Sequence, residues 1–157
     1  MTRFVPIIAM AVWATMAPIA SKCQTATTDA IPVSVIKINA NVKHHIVIQV
    51  TNNDTASWRG LMNNLQHLSE HWPGNVQIEV VTFGPGIELL MISKTTQSKR
   101  IEGFKNAGIL FSVCMNTMRA WNIQKEAILS AAGFIPSGIA EVVMKQEEGW
   151  SYVKGGF

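Results

Sequence analysis

"HHIVIQVTNNDTASWRGLMNNLQHLSEHWPGNVQIEVVTF", residues 44–83, decides the fold. His44 to Val50 is a β-branched run bounded by Thr-Asn-Asn-Asp, which suits a strand buried on both faces. Asp54 or Thr55 then caps a helix whose apolar residues Trp58, Leu61, Met62, Leu65, Leu68 and Trp72 recur at helical spacing. Pro73-Gly74 ends it, and residues 75–83 form a second strand. Strand, helix and strand in close succession predict a parallel pair joined by a crossover helix.

The same alternation continues downstream. Gly84-Pro85-Gly86 reads as a turn, Ser98 to Asn106 as a helix stopping before Gly108, and "ILFSVC" (109–114) as the third strand. Short helical stretches are expected at 116–121 and 124–131, and a fourth strand at "GFIP" (133–136). Ser137 caps a last helix with Ile139, Val142 and Val143 on one face; Gly149 closes it ahead of "WSYV" (150–153), the fifth strand. The prediction is a three-layer α/β/α sandwich around a mainly parallel sheet of about five strands.

The chain has 157 residues, 48% of them hydrophobic and 15% charged, which bounds it to one folded core and argues against disorder. Arg3 followed by the uncharged run Phe4 to Ala20 has the layout of a secretory signal peptide, cleaved near Ala20 or Ser21. Pro6 and Pro18 within a run that barely reaches spanning length disfavour a retained anchor. The expected organisation is a signal peptide at 1–22, a tail and lead-in at 23–40 and one domain at 41–157, with a periplasmic or secreted location. Of the 13 basic residues, Arg3 and Lys22 belong to the leader, and none of the 10 acidic ones does, which leaves the mature chain near +1. So balanced a surface suggests neither nucleic acid nor membrane as a partner once the leader is removed.

Chemistry is expected beyond the carboxyl ends of the strands, where open α/β sheets collect ligands. Cys114 falls there, as do Gly84 and Gly86. A thiol reacts as its thiolate, and N–H groups from Met115 onward or Arg119 can favour that anion. An isolated cysteine is equally a small apolar core residue, and position alone leaves both readings open. Gly84 and Gly86 can present backbone N–H groups to an anion or simply make a tight turn, and Glu88 can orient a donor or sit as a surface carboxylate. Asn116 and Thr117 suit capping after Cys114. His67 and His71 are four apart but lie off the apolar stripe, and His44 and His45 have no companion ligands nearby. No metal, nucleotide or other cofactor is therefore expected.

Taken together, "SWRGLMNNLQHL", "IEVVTFGPGIELL", "GILFSVCMNTM" and "IPSGIAEVVMKQEEGWSYVK" make the chain resemble the DsrE/DsrF-like sulfur-relay family, in particular its secreted branch. The resemblance implies a flavodoxin-like sandwich that assembles as a homo-oligomer. It also implies that Cys114, at the family's cysteine position, accepts sulfane sulfur as a persulfide from a donor and passes it to an acceptor thiol. Phe83 is a departure, because many secreted members carry histidine just before the GPG turn. The alternative is a non-catalytic oligomeric binding module in which Cys114 is structural.

Overall fold

The structure, a computed structural model, describes residues 41–156. The proposed signal peptide and the tail and lead-in at 23–40, which holds Cys23, lie outside the described residues. Five strands, β1 (His44–Val50), β2 (Val76–Thr82), β3 (Leu110–Cys114), β4 (Ala132–Ile135) and β5 (Ser151–Lys154), form one sheet in the order β4-β3-β2-β1-β5. Every neighbouring pair is parallel. The helices are α1 (Thr55–His71), α2 (Ser98–Asn106), α3 (Met115–Ala120) and α4 (Gly138–Glu147).

Side chains alternate across the sheet and sort the core into two layers. Ile46, Ile48, Val50, Ile78, Val80, Phe111 and Val113 pack on one face against Trp58, Leu61, Met62 and Leu65 of α1 and Ile101 and Phe104 of α2. Val47, Val81 and Ile135 pack on the other against Val142 of α4 and Trp150, with Phe83 beside them. The chain moves one way along the sheet through β1, β2, β3 and β4, then returns by α4 on the opposite face to place β5 beside β1. The connections after β3 and β4 therefore leave the sheet on opposite sides, which opens a crevice beyond the carboxyl ends of those two neighbours.

Local sequence explains the edges of the elements. Asp54 caps α1 by accepting from the N–H groups of Ala56 and Ser57, both at 3.0 Å, and from the Ser57 hydroxyl at 2.7 Å. The Ser57 hydroxyl, with those two N–H groups, holds the Asp54 carboxyl below its usual range.

Three elements depart from the sequence expectation. The Gly84-Pro85-Gly86 turn is the start of a 3-10 helix, Gly84–Leu90, which buries Ile87, Leu89 and Leu90. The helix expected at 124–131 shrinks to a 3-10 turn, Lys125–Ala127, because Ile128 bridges Met91 and the Leu129 N–H bonds the Leu90 carbonyl at 2.8 Å. Tertiary pairing thus takes the backbone groups that a helix would use. On α4 the inward residues are Gly138, Glu141, Val142 and Lys145, whereas Ile139 and Val143 are 57% and 46% exposed. The buried Lys145 reaches Glu141 at 3.7 Å and Glu148 at 3.0 Å, and its ammonium lies 4.8 Å from the centre of the Trp150 ring. An ion-paired lysine with an aliphatic stem can fill an inward position that hydrophobicity alone assigns elsewhere.

Candidate functional site

Cys114 is the last residue of β3 and the residue before α3, at the carboxyl edge of the sheet. Its side chain points to the α4 face and is 4% exposed. Burial alone pushes the thiol up, but the N–H groups of Gly138, Thr117 and Asn116 and the Thr117 hydroxyl, all close to the sulfur, favour the thiolate. Together they bring it below its ordinary value. The donors come from both sides: Asn116 and Thr117 from the start of α3, Gly138 from the start of α4.

Each partner is itself fixed. The Thr117 hydroxyl accepts the Gly84 N–H at 3.1 Å, so the Gly-Pro-Gly turn reaches the cysteine through Thr117. Gly138 lies against Phe83, and a Cβ there would come within 2.6 Å of Phe83 Cδ1 and 2.9 Å of its Cβ. The ring thereby sets how closely the α4 start approaches the thiol. Phe83 in this chain is a packing residue, on the same core layer as Val81 and Ile135.

The other residues singled out by sequence are distributed around this centre. Gly84 takes φ +52° and spends its N–H on Thr117, while the Gly86 N–H bonds the Phe83 carbonyl at 3.2 Å. Gly86 is required by contact, since a Cβ would lie 2.1 Å from the Val50 carbonyl oxygen. Glu88 is half-buried in the 3-10 helix, without a hydrogen bond or ion pair from its carboxylate among the described residues. Arg119 is exposed and its guanidinium donates to Asn116 Oδ1. The Asn116 N–H also bonds the Pro136 carbonyl, at 3.3 Å.

A second polar feature was not evident in the sequence. Glu79 is fully buried on the α4 face of β2, accepting from the Ser112 hydroxyl at 2.6 Å, with Oε2 unpartnered. Burial pushes its carboxyl up to about 7, against the Ser112 bond and with added pressure from Glu141. Ser112 lies two residues before Cys114 on the same side of β3, so the buried carboxyl and the thiol share a sheet face. A glutamate inside "VQIEVV" looks like an ordinary break in an apolar strand, and nothing local marks it as buried.

Among the described residues no group of His, Cys, Asp and Glu is placed to hold a metal ion. His44 stacks on Trp72 at 4.2 Å, His71 meets the edge of the same ring, and His45 tilts against Trp150. No described helix is long and apolar enough to cross a membrane.

These features define an α/β protein with a five-stranded all-parallel sheet and a buried cysteine at its carboxyl edge. No family model and no curated protein matches the chain. Its fold is similar to that of a protein of unknown function from Methanobacterium thermoautotrophicum, with a TM-score of 0.67 and 26% identity, over 71% of this chain and 99% of that one. A conserved protein of unknown function from Bacteroides thetaiotaomicron shares the fold at a TM-score of 0.54 and 16% identity, over 70% of this chain and 93% of the other.

Proposed function

We propose that this protein is an exported sulfur carrier of the DsrE-like kind, holding sulfane sulfur as a persulfide on Cys114. The observation that carries the reading is the set of three N–H groups and one hydroxyl around a buried thiol, a set that favours the thiolate at little cost in reorganisation. The Cys114 thiolate attacks the outer sulfur of a donor persulfide. A sulfur–sulfur bond forms to Cys114 as the donor's own breaks, and the released thiolate keeps the electron pair. An acceptor thiolate then attacks the outer sulfur of the Cys114 persulfide and restores the Cys114 thiolate. The exposed pair Ile139 and Val143, one turn apart on α4, supports a homo-oligomer.

Burial of Cys114 to 4% exposure favours a second reading, a binding module with a structural cysteine. Intact mass spectrometry separates the two. Incubation with a sulfane-sulfur donor should add one sulfur mass, about 32 Da, reversibly by reductant and not in Cys114→Ala, as expected of thiol–persulfide exchange. An unmodified protein whose thiol alkylates only after denaturation sinks the carrier reading.

A further inference from the structure

We propose that the cavity between α3 and β4 binds a small organic anion with an apolar or aromatic body, its charged head held by Arg119 and Lys125. The cavity measures about 300 Å³, at the small end of ligand-sized pockets. It is enclosed by α3 and the chain that follows it on one side and by Phe134 of β4 on the other. Cys114 is not among its lining residues, so the inference does not rest on Cys114 being reactive.

Its lining divides by chemistry. Met115, Met118, Ile123 and Phe134 provide an apolar floor, with Met118 almost wholly buried beneath it. Arg119 and Lys125 provide two cations at the rim, and no carboxylate lines the cavity. Among the described residues neither cation has an ion-pair partner. Asn116 Oδ1 engages one Arg119 nitrogen, which tethers the guanidinium and leaves its other donors available. The Lys125 ammonium lies 5.6 Å from the centre of the Phe134 ring, so the charge sits directly over the apolar floor.

The backbone holds this arrangement. Asn122, at φ 51°, ends α3 in the left-handed conformation that asparagine tolerates, and the Ile123 N–H returns to the Met118 carbonyl at 2.9 Å. The chain is thereby turned back so that 123–125 face Phe134. A second cavity, of about 350 Å³ between α1 and α2, contrasts with this one: its Arg100 already bonds Asn63 Oδ1 at 3.0 Å, and it lies away from the strand ends. Two unpaired cations over an apolar floor select a carboxylate or sulfonate carrying a compact hydrophobic group. They discriminate against a neutral isostere, which leaves both charges unanswered, and against a bare anion, which leaves the floor wet.

Amide chemical-shift titration of the full mature protein with phenylacetate, benzenesulfonate, phenylacetamide and acetate tests this. Both aromatic anions should saturate, with shifts at 115–125 and 134, while phenylacetamide and acetate should bind about tenfold more weakly or worse. Arg119→Gln with Lys125→Gln, both at exposed positions, should keep the native spectrum and lose about tenfold in phenylacetate affinity, with phenylacetamide unchanged. Equal binding of phenylacetate and phenylacetamide, saturation centred on Arg100, or no saturable shift from either aromatic anion overturns the proposal.

Discussion

The Thr117 hydroxyl lies between Gly84 and Cys114, accepting the Gly84 N–H at 3.1 Å and favouring the nearby thiolate. One side chain therefore ties the end of β2 to the end of β3. Removing it leaves a half-buried N–H short of a partner and takes a polar group away from the buried sulfur.

Thr117→Val should raise the Cys114 pKa toward the ordinary ~8.5 and cost about 1 kcal/mol of stability, whereas Thr117→Ser should preserve both. Thiolate absorbance against pH and chemical denaturation give the two readouts. Because the folded value is lowered, the thiolate adds stability above the unfolded pKa, and that contribution is lost as pH falls through the folded one. Valine should flatten this rise. A valine variant with an unchanged titration removes the hydroxyl from the account.

Gly138→Ala should raise the thiol pKa, because the new methyl meets Phe83 at 2.6 Å and moves the α4 start off the sulfur. Adding Phe83→Ala to Gly138→Ala makes room for the methyl and should recover most of the shift. Equal titration curves for Gly138→Ala and the wild type would show that the Gly138 N–H does not govern the thiol.

Glu79 predicts a slope of the opposite sign. Its folded value of about 7 exceeds the ordinary 4.5, so the fold resists ionising it. Stability is undiminished below the ordinary value and falls as pH rises from 4.5 to 7, by up to about 3 kcal/mol. Glu79→Gln keeps an acceptor for Ser112 and should abolish this decline in denaturation curves between those pH values. Persistence of the decline in the glutamine variant assigns it to other groups.

The two turn glycines should differ sharply. Gly86→Ala drives a Cβ to 2.1 Å from the Val50 carbonyl oxygen and should cost about 3 kcal/mol or more, with a large fall in Tm. Gly84→Ala has open space around it and pays only for its left-handed backbone at φ +52°, about 1 kcal/mol. Similar melting temperatures for the two would contradict the contact argument.

The strands and α1 were legible because their signals are local: β1 and α2 fall at the expected residues, and Asp54 caps as its position suggests. Cys114 was placed at a strand end for the same reason. The donors around it were less accessible, since Gly138 reaches the sulfur only after α4 folds across the opposite sheet face. Glu79 and Lys145 show a related limit. Each reads locally as a solvated charge, and each is buried by partners from other strands or other turns of a helix. Ile139 and Val143 are the reverse case, apolar residues turned outward because Lys145 and Glu141 occupy the inward stripe.

The position of β5 bears on how the molecule is assembled. β5 joins the sheet through β1 alone, pairing Ile46 with Ser151 across a sequence separation on the order of 100 residues. Until that distant segment arrives, the Ile-Val-Ile run of β1 presents a bare row of backbone donors and acceptors, able to recruit a strand from another molecule. Closure of this seam therefore carries a large loop-entropy cost, and a molecule in which it is open offers an edge prone to aggregation.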